Sequence, residues 1–128
     1  MSFLRNVVLF LVLSVIFVGC SKQTNPMERG APGSPKDAAQ QLDQAFATAD
    51  AQKKAQVAAA SQALKNLEYE KAVVSLQLLK KEGNLTTEQG VAVHNSMISL
   101  EAKIIDAIDA GNENAKRAYE QLKKARRN

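Results

Sequence analysis

At 128 residues the chain has room for one small domain and not for several. A single cysteine excludes an internal disulfide framework, and a single histidine excludes a His-based metal cluster. Lys and Arg number 17 against 13 Asp and Glu, a formal charge of +4 whose placement matters more than its size.

The chain opens on a short polar start, Met1 to Asn6, whose only charged side chain is Arg5. Val7 to Val18 follows without a charge and with one hydroxyl, Ser14. A basic start, an apolar middle and a small residue at the end have the form of a secretory signal. A spanning helix needs about 20 apolar residues, and this run is shorter. Its last stretch, Val15-Ile16-Phe17-Val18-Gly19-Cys20, resembles the lipobox of bacterial lipoproteins, with Phe17 standing where that family prefers Leu. The resemblance implies cleavage between Gly19 and Cys20, so that 1–19 is a signal peptide and Cys20 the acylated first residue of the mature chain. It also gives a reason for the unpaired thiol, since exported chains otherwise use cysteine in pairs. Each buried methylene contributes about 0.8 kcal/mol, so the two or three acyl chains of such lipoproteins imply a firm membrane anchor. Ser21, rather than Asp, follows the cysteine. In an envelope with two membranes the resemblance then implies the outer membrane, facing the periplasm.

Positions 20–34 form the lipidated cysteine and a tether. Ser21 to Ser34 is polar, carries Pro26, Pro32, Gly30 and Gly33, and shows no periodicity. As flexible coil it spans roughly 20 Å on average. Fully drawn out it reaches about 45 Å. The body that follows, 35–128, is therefore held close to the membrane.

That body reads as all-α, a small antiparallel bundle of about four helices. Ser34 can cap the first, Pro35 suits its first position, and Asp37 completes a capping box. Leu42, Phe46 and Ala49 share one face, and Val57, Ala60, Leu64 and Leu67 share another. The two stripes fall out of step at the polar run Asp50 to Lys54, which predicts one long helix over 35–66, bent or broken near Asp50; with no glycine or proline to force a break, a continuous helix is equally allowed. A second helix over 68–81 buries Tyr69, Ala72, Val73, Leu76 and Leu79, with Gly83 as the left-handed residue past its end. Thr86 and Gln89 open a third helix, ending near Ala110. Its apolar side is broad, Val91, Ile98, Ala102, Ile105 and Ile108 flanked by Met97, Leu100 and Ile104, which places it at the centre of the bundle. Gly111 stops it, and Asn112 caps a fourth helix carrying Ala115, Ala118, Tyr119 and Leu122. With Phe46, Tyr69 and Tyr119 as its only aromatics after the signal, the core is modest. A partner along the Phe46 region is one expected source of added stability.

Matching Ala72 to Ala118 relates two helix-turn-helix units across 46 residues. Leu67-Glu68-Tyr69-Glu70-Lys71-Ala72 resembles the second-helix start of a tetratricopeptide repeat, usually G-x-Y-x-x-A, with Leu67 in place of the glycine. Ala59, Ala60 and Ala63 stand where the repeat has Leu, Gly and Tyr, so the resemblance covers about Lys53 to Asn84. A plain pair of amphipathic helices with a short turn gives the same pattern. Either way the expectation is stacked antiparallel helices, a scaffold commonly used to hold other proteins.

After position 115, Lys116, Arg117, Lys123, Lys124, Arg126 and Arg127 face only Glu120. Cations at a helix C-terminus complement its dipole. The same cluster could instead meet anionic lipid, lipopolysaccharide or wall polymer. Nucleic acid is a poor fit, because no aromatics interleave with the cations to stack bases. Catalysis needs convergent groups in matched roles. His94, the sole histidine, has Ser96 and Ser99 near it but no carboxylate at a helical offset that completes a triad. Its expected place is half-buried packing or a donor on the helix surface. Glu101 and Asp106 fall on different faces. With no phosphate loop, dinucleotide turn or calcium loop, no cofactor and no enzymatic activity are expected. The reading is an exported, lipid-anchored envelope protein working through contacts with a protein partner or with copies of itself, with anionic-surface binding as the alternative.

Overall fold

The computed structural model of the chain describes residues 33–128. The signal peptide 1–19, the cleavage site Gly19–Cys20, the lipidation of Cys20 and most of the tether lie outside the described residues. Within 33–128 the chain is all-α, in five helices: α1 Pro35–Ala45, α2 Ala51–Lys65, α3 Tyr69–Lys81, α4 Thr87–Asp109 and α5 Glu113–Arg127.

The long first helix over 35–66 is two. Ser34 starts α1 as expected: the Asp37 N–H donates to its hydroxyl at 3.2 Å, and its own N–H donates to the Asp37 carboxylate at 3.1 Å. The Ser34 hydroxyl also donates to that carboxylate at 2.8 Å, and these two Ser34 donors, side chain first and backbone second, hold the Asp37 carboxyl below its ordinary range. α1 ends at Ala45, and Asp50 starts α2 as its N-cap, accepting from the Lys53 N–H at 2.8 Å. No glycine or proline is needed for the break. Asp50 offers the backbone a better partner as a cap than as a mid-helix residue. The short turn at 46–49 swings the Phe46 ring inward, where it is 1% exposed. The chain itself covers the ring. Tyr69, at 8% exposure, is likewise a core residue.

Two connections use the same device with different residues. α2 ends in a Schellman turn: the Glu68 N–H reaches the Ala63 carbonyl at 2.9 Å and the Leu67 N–H reaches Leu64 at 3.3 Å. α4 ends identically, Asn112 bonding Ala107 and Gly111 bonding Ile108, both at 2.9 Å. The left-handed position is Gly111 in one, φ 85°, and Leu67 in the other, φ 55°. Leu67, placed by the sequence pattern on a buried stripe, is instead a turn residue and partly exposed.

Helices α3 and α4 form the centre. α3 lies against α2, α4 and α5; α4 lies against α1, α3 and α5. The stripe expected on α3 is buried in full: Tyr69, Ala72, Val73, Leu76 and Leu79. α5 buries Ala115, Ala118 and Leu122, which fall 46 residues after Tyr69, Ala72 and Leu76. α4 is central as expected, but through a different side. It buries Gln89, Ala92, Val93, Ser96, Ser99, Leu100 and Ile104. Val91, Ile98 and Ile105, expected inside, are 51%, 36% and 44% exposed, and Ala102 is exposed too. The reason is the close approach of α1. Ser96 Oγ donates to its own helix at Ala92 O, 2.8 Å away, and lies 3.4 Å from the α1 carbonyl of Ala38. Small side chains that answer carbonyls admit a neighbouring backbone where isoleucine would hold it off.

Candidate binding surfaces

The six basic residues of the C-terminal cluster all lie on α5. Four of them are already engaged. Lys116 pairs with Glu113 at 2.6 Å, Lys123 with Glu120 at 2.6 Å, Arg117 with Glu70 of α3 at 2.9 Å, and Arg126 with Glu101 of α4. The Lys123 ammonium also stands 5.3 Å from the centre of the Tyr119 ring. Lys124 and Arg127 make no ion pair among the described residues. Two of the six, Arg117 and Arg126, therefore fasten α5 to the bundle, while the Lys116 and Lys123 pairs stay within α5. The Glu113 carboxyl is held low by the Lys116 hydrogen bond, and the Arg126 guanidinium is held high by Glu101.

The residues around the sole histidine do not converge. His94 sits exposed on α4. Ser96 is directed at backbone carbonyls, and Ser99 Oγ donates to Gly33 O at 2.6 Å. Glu101 holds Arg126, while Asp106 lines a cavity on another side. Among the described residues no three His, Cys, Asp or Glu side chains gather closely enough to hold a metal ion, and no helix is long and apolar enough to cross a membrane.

Three of the cavities have the size of small-molecule sites; in one of them, about 390 Å³, the charged lining residues Glu68, Lys71, Glu70 and Arg117 are paired with one another. The first, about 460 Å³, lies where the start of α1 and the end of α2 meet α4 and is lined by Lys36, Lys65, Lys103 and Asp106 over Leu64, Leu67 and Ala102. Lys65 is engaged there by Asp43 at 3.0 Å. The second, about 410 Å³, opens between the ends of α3 and α5 and the middle of α4. It brings Lys80 and Lys81 together with His94, Glu101 and Arg126 over Met97, Ile98, Leu122 and Ala125. Lys80 and Lys81 stand in the last turn of α3, where cations complement the helix dipole. Only the return of α5 beside α3 turns them into the rim of a cavity. Compared with family models, curated proteins and solved structures, the chain matches none.

Proposed function

We propose that the protein is an exported lipoprotein of the bacterial cell envelope, anchored through acyl chains on Cys20, whose helical body serves as a non-catalytic protein-interaction or structural module. The observation that carries this reading is the apolar run closing on Val15-Ile16-Phe17-Val18-Gly19-Cys20, with the chain's one thiol at the place where a thioether would be made. Ser21 after the cysteine supports the outer membrane, facing the periplasm. The body fits a scaffold role: five helices with short turns, hydroxyls directed at carbonyls, and large apolar side chains such as Val74, Leu78 and Val91 left on the surface.

The test is mass spectrometry of the mature N-terminus with metabolic labelling by a clickable fatty acid. The expected product begins at an acylated Cys20, and Cys20→Ala is neither labelled nor retained in the membrane fraction. An unlabelled chain, or an unchanged Cys20→Ala, overturns the anchor. For the partner, Leu78→Glu is the informative substitution because Leu78 is exposed; it should leave the fold intact and remove a specific co-purifying protein. A second reading, binding of an anionic surface by α5, draws its support from Lys124 and Arg127. It predicts salt-sensitive binding to anionic vesicles that is lost with Lys124→Glu and Arg127→Glu.

A further inference from the structure

The cavity between α3, α4 and α5 has two chemistries in one space. Met97, Ile98, Leu122 and Ala125 give it an apolar floor. Lys80 and Lys81 stand on its rim, and neither makes an ion pair among the described residues. Its one acidic side chain, Glu101, is engaged by Arg126 and so does not neutralise the lysines. Gln77, which also lines the cavity, has its side-chain Nε2 buried without an acceptor. That atom is closed off from the cavity as well as from solvent, so the two rim lysines are the groups that meet a ligand.

We propose that this cavity binds a single-chain anionic amphiphile, an acyl chain ending in a carboxylate or a phosphate. The chain lies over the floor, and the oxyanion meets Lys80 and Lys81. A neutral apolar ligand would leave the two lysines unanswered, and a wholly polar anion would waste the floor. A volume of about 410 Å³ suits one chain rather than the two of a diacyl lipid. The cavity at the start of α1 is the internal contrast: it too has lysines, but Lys65 is taken by Asp43, and beside Lys36 and Lys103 it carries Asp106, a carboxylate that no ion pair occupies among the described residues. This inference stands apart from the anchor, because it rests only on residues of the helical body.

The experiment uses the full chain in phosphatidylcholine nanodiscs and a photoreactive diazirine fatty acid, with crosslinked peptides mapped by mass spectrometry. Saturable crosslinks are expected on α4 around Met97 and on α5 around Ala125. Dodecanoate and lysophosphatidylglycerol compete in separate arms; the stronger competitor identifies the head group as carboxylate or phosphate, and either supports the site. Dodecanol should not compete. The double substitution Lys80→Glu, Lys81→Glu should weaken labelling by about tenfold or more, as loss of charge complementarity predicts. Lys36→Glu with Lys103→Glu, at the other cavity, should leave it unchanged. All four lysines are exposed or half-buried, so circular dichroism should report an intact fold. Labelling spread evenly along the chain, equal competition by dodecanol, or indifference to the Lys80 and Lys81 substitutions would overturn the proposal.

Discussion

Helices α1 and α5 are the outer elements of the bundle, and both rest on α4, yet different forces hold them. α1 is held by burial and by hydroxyls: Leu42 and Phe46 are almost wholly covered, Ser61 Oγ donates to the Asp43 carboxylate at 2.8 Å, and Ser99 donates to Gly33 O. α5 buries Ala115, Ala118 and only one large side chain, Leu122, and adds cross-helix ion pairs to Glu70 and Glu101. The contrast teaches how a short alanine-rich chain divides its means. Around α1 a phenylalanine, hydroxyls and one ion pair, Asp43 to Lys65, act together. Around α5 the alanines Ala115 and Ala118 are supplemented by two cross-helix pairs, whose long charged side chains remain open to the solvent's ions.

The strongest test of that contrast is truncation of the two anchors. Phe46→Ala should cost about 3–5 kcal/mol, and Leu122→Ala about 2–5 kcal/mol, both read from urea denaturation. A smaller loss at Phe46 than at Leu122 would break the comparison. Next are the turns. Gly111→Ala, at the entry to α5, should cost about 1 kcal/mol, because an L side chain is strained at its positive φ. Leu67→Gly, at the matching turn before α3, should gain up to about 1 kcal/mol, less what the partly buried leucine contributes. The connection between α1 and α2 contains no positive φ, so alanine substitution at the exposed Thr48 should be nearly silent. Salt gives a smaller effect. Exposed pairs contribute about 0–1 kcal/mol each, so hydrogen exchange at the end of α5, with two cross-helix pairs, should quicken in high salt more than at α1, with the single Asp43–Lys65 pair.

Acid should act in the opposite place. The Asp37, Glu68 and Glu113 carboxyls are all held below their ordinary values: Asp37 by Ser34, Glu68 by Lys71 and then Asn66, Glu113 by Lys116. The unfolded chain therefore binds protons more readily at these sites. Their contribution is present above the ordinary carboxylate range and is lost as pH falls through the depressed values. Amide signals at the start of α1, monitored by NMR, should report fraying in that window, and Asp37→Asn should remove the acid step there.

Local signals in the sequence are recovered well because they depend on few neighbours. Ser34, Thr86 and Asn112 cap helices, and Gly83 and Gly111 follow them in the left-handed region, because a cap or a stop is settled within a few residues. The α3 stripe is legible since large apolar side chains define it unambiguously. The inner side of α4 is not, because hydropathy favours Val91, Ile98 and Ile105, whereas the approach of α1 selects Ser96 and Ser99. No side-chain scale contains that approach. Leu67 misleads for a related reason: its apolar side chain reads as core, but its backbone serves the turn. The candidate cavity is illegible in any window, since Lys80, Ile98 and Leu122 come together only when three helices close on one another.

The bond from Ser99 to Gly33 has a mechanical consequence. It fastens the entrance of the body to the middle of the longest helix, ahead of the first residue of α1. A pull applied upstream of Gly33 would reach α4 through Ser99 before it could peel α1 away from its end. Load is thereby shared with α4, which lies against α1, α3 and α5, and does not fall on the free end of α1 alone.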